Sequence, residues 1–294
     1  MENLINKIQG HIEARNDIIG RNKYNQLKQL KDPTEKQLIQ IQEFESRHTK
    51  KISEEDKNRI IEYYKKVSSP PIKKEFNFSA DQLFIAFKKA YKINEGVDFI
   101  INEETKENIK TLIYYFSRDN RFLKCKNLHR TFDYGKIVKE SIPSFDKGII
   151  IIGNYGNGKS SGMKAFQRIF APFDNLKFRM YLASEVVDNY ECCSTQDDKR
   201  QFWYLMNKDV IYYDDVKREG IASNYGKANL FKGIIEKREA RRLKTYITCN
   251  FNEEFPNDIN AALLEFGEKY ESYIFDRLFS AYNIIEFKGK SFRK

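Results

Sequence analysis

The chain has 294 residues, 40% hydrophobic and 32% charged, which is enough for a full α/β domain with a smaller appendage and excludes disorder throughout. Lys and Arg outnumber Asp and Glu by 52 to 42, and the net charge of +10 favours polyanionic partners, nucleic acid first, through a salt-sensitive attraction. Cys125, Cys192, Cys193 and Cys249 lack the spacing of a disulfide framework or zinc site, and neither an export leader nor an 18-residue apolar run is present, so a reduced, cytoplasmic protein without membrane spans is expected.

Residues 1–70 are expected to form a helical partner-binding region. Leu4, Ile8 and Ile12 recur every four residues, and Asp32-Pro33-Thr34-Glu35 reads as a cap, a helix-compatible proline and a returning acid. Ser53 followed by Asp56 opens a further helix carrying Ile60, Ile61 and Tyr64. Ser68-Ser69-Pro70-Pro71 then breaks any helix and marks a boundary. Residues 71–146 are expected to be a helical lead-in, with one helix over 81–91 and another over 103–116, where Ile109, Leu112, Ile113 and Phe116 share a face.

From 147 to 294 short apolar runs alternate with helical stretches, the pattern of an α/β fold with a mainly parallel sheet. The runs are 149–152, 178–182, 210–213, 245–248 and 284–287. The first feeds Gly153-Asn154-Tyr155-Gly156-Asn157-Gly158-Lys159-Ser160, which fits the phosphate-binding pattern G-x-x-x-x-G-K-[ST] at every fixed position, with Ser161 following. Glycines let backbone N–H groups converge on phosphates. Lys159 neutralises β/γ oxygens and Ser160 ligates magnesium, so ATP and Mg²⁺ are the expected ligands.

The run 210–213 ends in Asp214 and Asp215, where one carboxylate assists the metal and its neighbour is a candidate general base. Tyr212 and Tyr213 inside this strand are expected to be core. Asn250 closes the next strand at the edge where open α/β sheets bind ligands; on spacing alone it is equally an ordinary turn residue. Arg277 sits at the rim of an apolar helical row, where a surface ion pair with Asp276 or Glu271 is the simpler reading. Arg238, Arg241 and Arg242 are spaced to form one cationic helical face, which is a DNA-tracking surface, a contact with the next subunit or a merely solvated face.

Together these pieces resemble the AAA+ ATPases of the DnaC/IstB type, helicase loaders and transposition helpers, over residues 99–294. The resemblance rests on GNYGNGKSS, VIYYDDV, ITCNF and the closing FDRLFSAYNIIEFKGKSFRK. It implies an AAA+ P-loop NTPase with a five-stranded, mainly parallel sheet in the order 5-1-4-3-2, the fifth strand at 284–287, and an ATPase core over 147–294 without a C-terminal lid. It also implies that Lys159 and Ser160 belong to Walker A, Asp214 and Asp215 to Walker B and Asn250 to sensor 1, and that Arg277 is an arginine finger acting on an adjacent subunit. The implied function is ATP hydrolysis by an ATP-dependent homo-oligomer that binds single-stranded DNA and delivers or remodels a replicative helicase, in a bacterial cytoplasm or encoded by a phage acting there. Two rival expectations are a transposition helper on duplex DNA and a nucleotide-stabilised adaptor that does not hydrolyse ATP.

Overall fold

The computed structural model describes residues 20–48, 58–59, 76–224 and 226–292. The expected helical repeat at Leu4, Ile8 and Ile12, the cap at Ser53, the Pro70-Pro71 boundary and the terminal Arg293 lie outside the described residues. The chain divides into two units, Met1–Ile72 and Lys73–Lys294.

In the first unit, α1 (Arg21–Lys28) and α2 (Glu35–His48) pack through Tyr24 stacked on Phe44 at 4.3 Å, beside buried Leu27 and Ile41. Glu45 accepts from the Tyr24 hydroxyl at 2.9 Å and pairs with Lys28 at 2.6 Å. The start of α2 corrects the sequence reading. Gln37, not Glu35, returns to the chain, accepting the Thr34 N–H at 2.8 Å, so the helix begins two residues later than a cap at Asp32 would place it.

The second unit opens with α3 (Ala80–Glu95) and α4 (Glu103–Phe116), each started by a capping box, Ser79 with Gln82 and Asn102 with Thr105. The lead-in expected to be helical also contributes strands: β1 (Leu128–His129), then a hairpin of β2 (Thr131–Tyr134) and β3 (Ile137–Glu140). There follow β4 (Gly148–Gly153), α5 (Lys159–Phe170), β5 (Arg179–Leu182), α6 (Ala183–Glu191), α7 (Gln196–Met206) and β6 (Ile211–Val216). A small ribbon of β7 (Ala222–Ser223) and β8 (Lys227–Ala228) leads to α8 (Leu230–Ala240), β9 (Thr245–Cys249), α9 (Ile259–Tyr270), α10 (Ser272–Ala281) and β10 (Tyr282–Phe287).

The central sheet has six strands, not five, in the order β1-β10-β4-β9-β6-β5. The order differs from the expected one because β1 pairs antiparallel on the outer side of β10, while β10, β4, β9, β6 and β5 run parallel. Strand alternation explains the four isoleucines of β4. Ile149 and Ile151 enter the core formed with Phe87, Leu112, Phe116 and Phe166, whereas Ile150 and Ile152 enter the opposite core with Ile234, Leu263, Phe266 and Leu278. All four are fully buried, each contributing about 2 kcal/mol, so the strand feeding the phosphate loop is held from both faces. Among the described residues no helix is long and apolar enough to cross a membrane.

The expected three-arginine face does not form. Arg238 is 0% exposed and continues the apolar stripe of Ile234 and Ile235 on α8. Its guanidinium donates to the carbonyls of Met206, Asp209 and Lys244, each at 2.9 Å, and to Thr245 Oγ1 at 2.8 Å. It therefore clamps the segments leading into β6 and β9; Arg241 and Arg242 remain exposed.

Candidate functional site

β4 stops at Gly153 because the chain there must pass close to its neighbours: a Cβ on Gly153 would lie 2.5 Å from both Asn157 Nδ2 and Phe287 O. Gly156 and Gly158 take φ values of 71° and 90°, so the loop folds back and α5 starts at Lys159, its N-terminus facing the loop. Asn157 Nδ2 donates to Phe287 O at 2.8 Å and the Phe292 N–H to Gly156 O at 3.0 Å, which buttress the loop from the last strand.

Lys159 is nearly buried, its ammonium 2.8 Å from Gly153 O, 2.7 Å from Asn154 O, 3.3 Å from Asn157 Oδ1 and 3.1 Å from Asn250 Oδ1. The amide of Asn250 turns its other end to the second acid, Nδ2 donating to Asp215 Oδ1 at 2.6 Å. A continuous Lys159–Asn250–Asp215 line thus joins three residues that are far apart in sequence. Beside it, Ser160 donates to Asp214 Oδ1 at 2.8 Å. The structure brings Gly153 to Ser161, Asp214, Asp215 and Asn250 into one neighbourhood.

Sequence reasoning missed two members of this network. Tyr212 donates to Asp214 Oδ1 at 2.5 Å, and Thr248 donates to the same oxygen while its Oγ1 accepts the Asp215 N–H at 3.1 Å. Burial and the Asp214 carboxylate push the Tyr212 phenol well above its ordinary range, so it stays a donor. A signal was available: in a strand, Tyr212 and Asp214 share a face. Cys249, next to Thr248 in β9, is buried in the core on the other face of the sheet, and burial pushes its thiol up to about 11, which removes it as a nucleophile at neutral pH.

Tyr155 to Ser161, Asp214, Asp215, Thr248 and Asn250 line a cleft of 590 Å³. One end is the glycine loop with Asp214, Asp215, Thr248 and Asn250; the other is Tyr91, Val97, Phe99, Ile100 and Ile109 from the lead-in. Val97 and Ile100 are 60% and 59% exposed, an apolar wall suited to a flat ring. The hydroxyl of Ser160 against the carboxylate of Asp214 is the hard-oxygen pair that magnesium takes, so the residues present fit a magnesium nucleotide.

Arg277 is not brought to this cleft. It pairs with Glu239 Oε2 at 2.9 Å and lies over the Tyr273 ring. The ion pair expected with Asp276 or Glu271 is corrected, since Asp276 faces Lys139 and Glu271 faces Lys232.

No family model matches the chain, and no curated protein is significantly similar to it. Among solved structures it is similar to the DnaC helicase loader, at 16% identity and a TM-score of 0.38 over 49% of this chain and 79% of that one. It is similar to DnaI at 19% identity and a TM-score of 0.42, over 66% and 89%. A protein from Streptococcus pyogenes serotype M3, provisionally assigned as a primosome component, is 13% identical with a TM-score of 0.42, over 71% and 98%.

Proposed function

We propose that this chain is an ATP hydrolase of the helicase-loader kind, a switch that binds single-stranded DNA and delivers or remodels a replicative helicase in the cytoplasm. The observation that carries the ATPase part is the Lys159–Asn250–Asp215 line beside the Ser160–Asp214 pair. In this reading Lys159 binds the phosphates, and Ser160 and Asp214 hold magnesium, which offsets charge on the phosphoryl oxygens. Asp215 takes a proton from the attacking water, and Asn250 orients that water and the acid together. The apolar end of the cleft takes the base.

Support for the replication part is the motif set and the net charge of +10. Arg277, half-exposed, paired with Glu239 and resting over the Tyr273 ring, is the residue we assign to a neighbouring subunit's nucleotide in an ATP-dependent homo-oligomer. Residues 1–70 are assigned to partner binding.

The test is ATP hydrolysis by purified protein, alone and with single-stranded or duplex DNA across a salt series, alongside Lys159→Ala. Single-strand stimulation that vanishes in the variant is the expected result. Duplex stimulation favours a transposition helper; absence of hydrolysis under every condition leaves an adaptor and overturns the enzyme reading.

A further inference from the structure

β6 does not end as a regular strand. Its register against β9 shifts between Tyr213 and Val216, and Asp215 and Lys217 take left-handed φ values of 58° and 82°. Side chains with a Cβ adopt this conformation at an energetic cost, which persists where the surroundings over-determine it and which concentrates at functional sites. Here the surroundings are explicit. The Asp215 N–H is held by Thr248, the Lys217 N–H donates to the Tyr270 hydroxyl at 3.2 Å, and the buried Lys217 ammonium sits 2.6 Å from Glu265 and 3.3 Å from Ala262 O.

Burying Lys217 leaves Arg218 on the other side of the chain, on the wall of the nucleotide cleft. Its guanidinium lies 5.1 Å from the ring centre of Tyr155, in the middle of the phosphate loop, and 3.9 Å from Asp215 Oδ2. The side chain is 55% exposed, and its ion pair is too long for a hydrogen bond. The ring it rests on is itself tied across the loop, Tyr155 donating to Glu253 Oε1 at 3.1 Å. A planar cation with five donors is thus parked loosely beside the acid and above the glycines, with Lys159 already committed beneath them.

Building on the nucleotide reading above, we propose that Arg218 is the cis-acting cation of this site, which exchanges Asp215 and the Tyr155 ring for the γ-phosphoryl oxygens of a bound nucleoside triphosphate. A diphosphate offers it no such partner, so the exchange distinguishes the two. Its departure also leaves Oδ2 of Asp215, whose Oδ1 stays with Asn250, to accept the proton of the attacking water as the new P–O bond forms and the bond to the β–γ bridging oxygen breaks. A charge-assisted, bidentate contact of this kind dominates the interactions it replaces.

The experiment is calorimetric binding of ADP and of a non-hydrolysable triphosphate analogue, each with magnesium, to the wild type, Arg218→Ala, Arg218→Gln and Arg218→Lys. The expected result is that the alanine and glutamine variants lose about tenfold or more in triphosphate affinity while ADP affinity stays within about twofold, and that lysine restores part of the loss. The triphosphate-to-diphosphate ratio does not depend on the fraction of protein folded. An unchanged ratio in both neutral variants overturns the assignment of Arg218 and leaves the nucleotide reading intact. A wild type that binds neither nucleotide overturns both.

Discussion

Tyr212 donates its phenolic hydrogen to Oδ1 of Asp214 at 2.5 Å from a position with no exposure to solvent. The same oxygen accepts from Ser160 and Thr248, so three hydroxyls fix one carboxylate. Tyr212→Phe keeps the ring and removes one donor. The expected outcome is a loss of about 1 kcal/mol in stability, read by urea unfolding, and about tenfold weaker magnesium dependence of hydrolysis, read by titrating the metal at saturating ATP.

Asn250→Ala cuts the line between Lys159 and Asp215 without touching the glycines. Removing one oriented polar group from a reacting centre typically costs a hundredfold or more in rate. Single-turnover hydrolysis is expected to slow by about that factor while nucleotide affinity, measured separately, changes less than about threefold. An equal loss in both would make Asn250 a binding residue.

Arg238, itself fully buried, donates to the carbonyls of Met206, Asp209 and Lys244, of which Met206 O also accepts from the Tyr213 hydroxyl. Arg238→Ala leaves the part-buried carbonyls of Asp209 and Lys244 without this donor and is expected to destabilise the second unit by about 2 to 4 kcal/mol, measured by chemical denaturation. Arg238→Lys is expected to recover little, because one ammonium cannot span the fork.

His129, on the strand that closes the sheet, has its pKa lowered from 6.5, mainly by burial, with Asn260 and Asp258 opposing. The folded state therefore binds the proton less well than the unfolded one. The resulting stability is present in full above pH 6.5 and is lost as pH falls from there toward the depressed folded value. Urea midpoints measured at pH 7.5 and 5.5 are expected to fall more for the wild type than for His129→Gln.

The loop between β4 and α5 was legible because its signal is local: glycines, Lys159 and Ser160 occupy a fixed spacing whatever surrounds them. The parallel strands were legible as apolar runs, since a strand covered on both faces needs no polar alternation, and Ile149 to Ile152 show this most clearly. β1 was not, because two residues carry no period, and its place is set by pairing with Ile284 and Ile285, about 155 residues later along the chain. Arg238 was misread because charge spacing defines a face but not which way the face turns. The preceding Leu230, Phe231, Ile234 and Ile235 pointed that face inward. The apolar end of the cleft was missed because Val97 and Ile100 lie in a connecting segment without periodicity.

The buttressing of the phosphate loop by Phe287 and Phe292 has a temporal consequence. Gly153 to Ser160 can be synthesised, and α5 can coil, long before the residues that set the loop's shape have left the ribosome. The contacts from Asn157 and Gly156 close spans of about 130 residues, which are slow to search. A nascent chain therefore carries the complete glycine motif without a formed cradle, and the nucleotide binding proposed above requires that β10 has docked, late in folding.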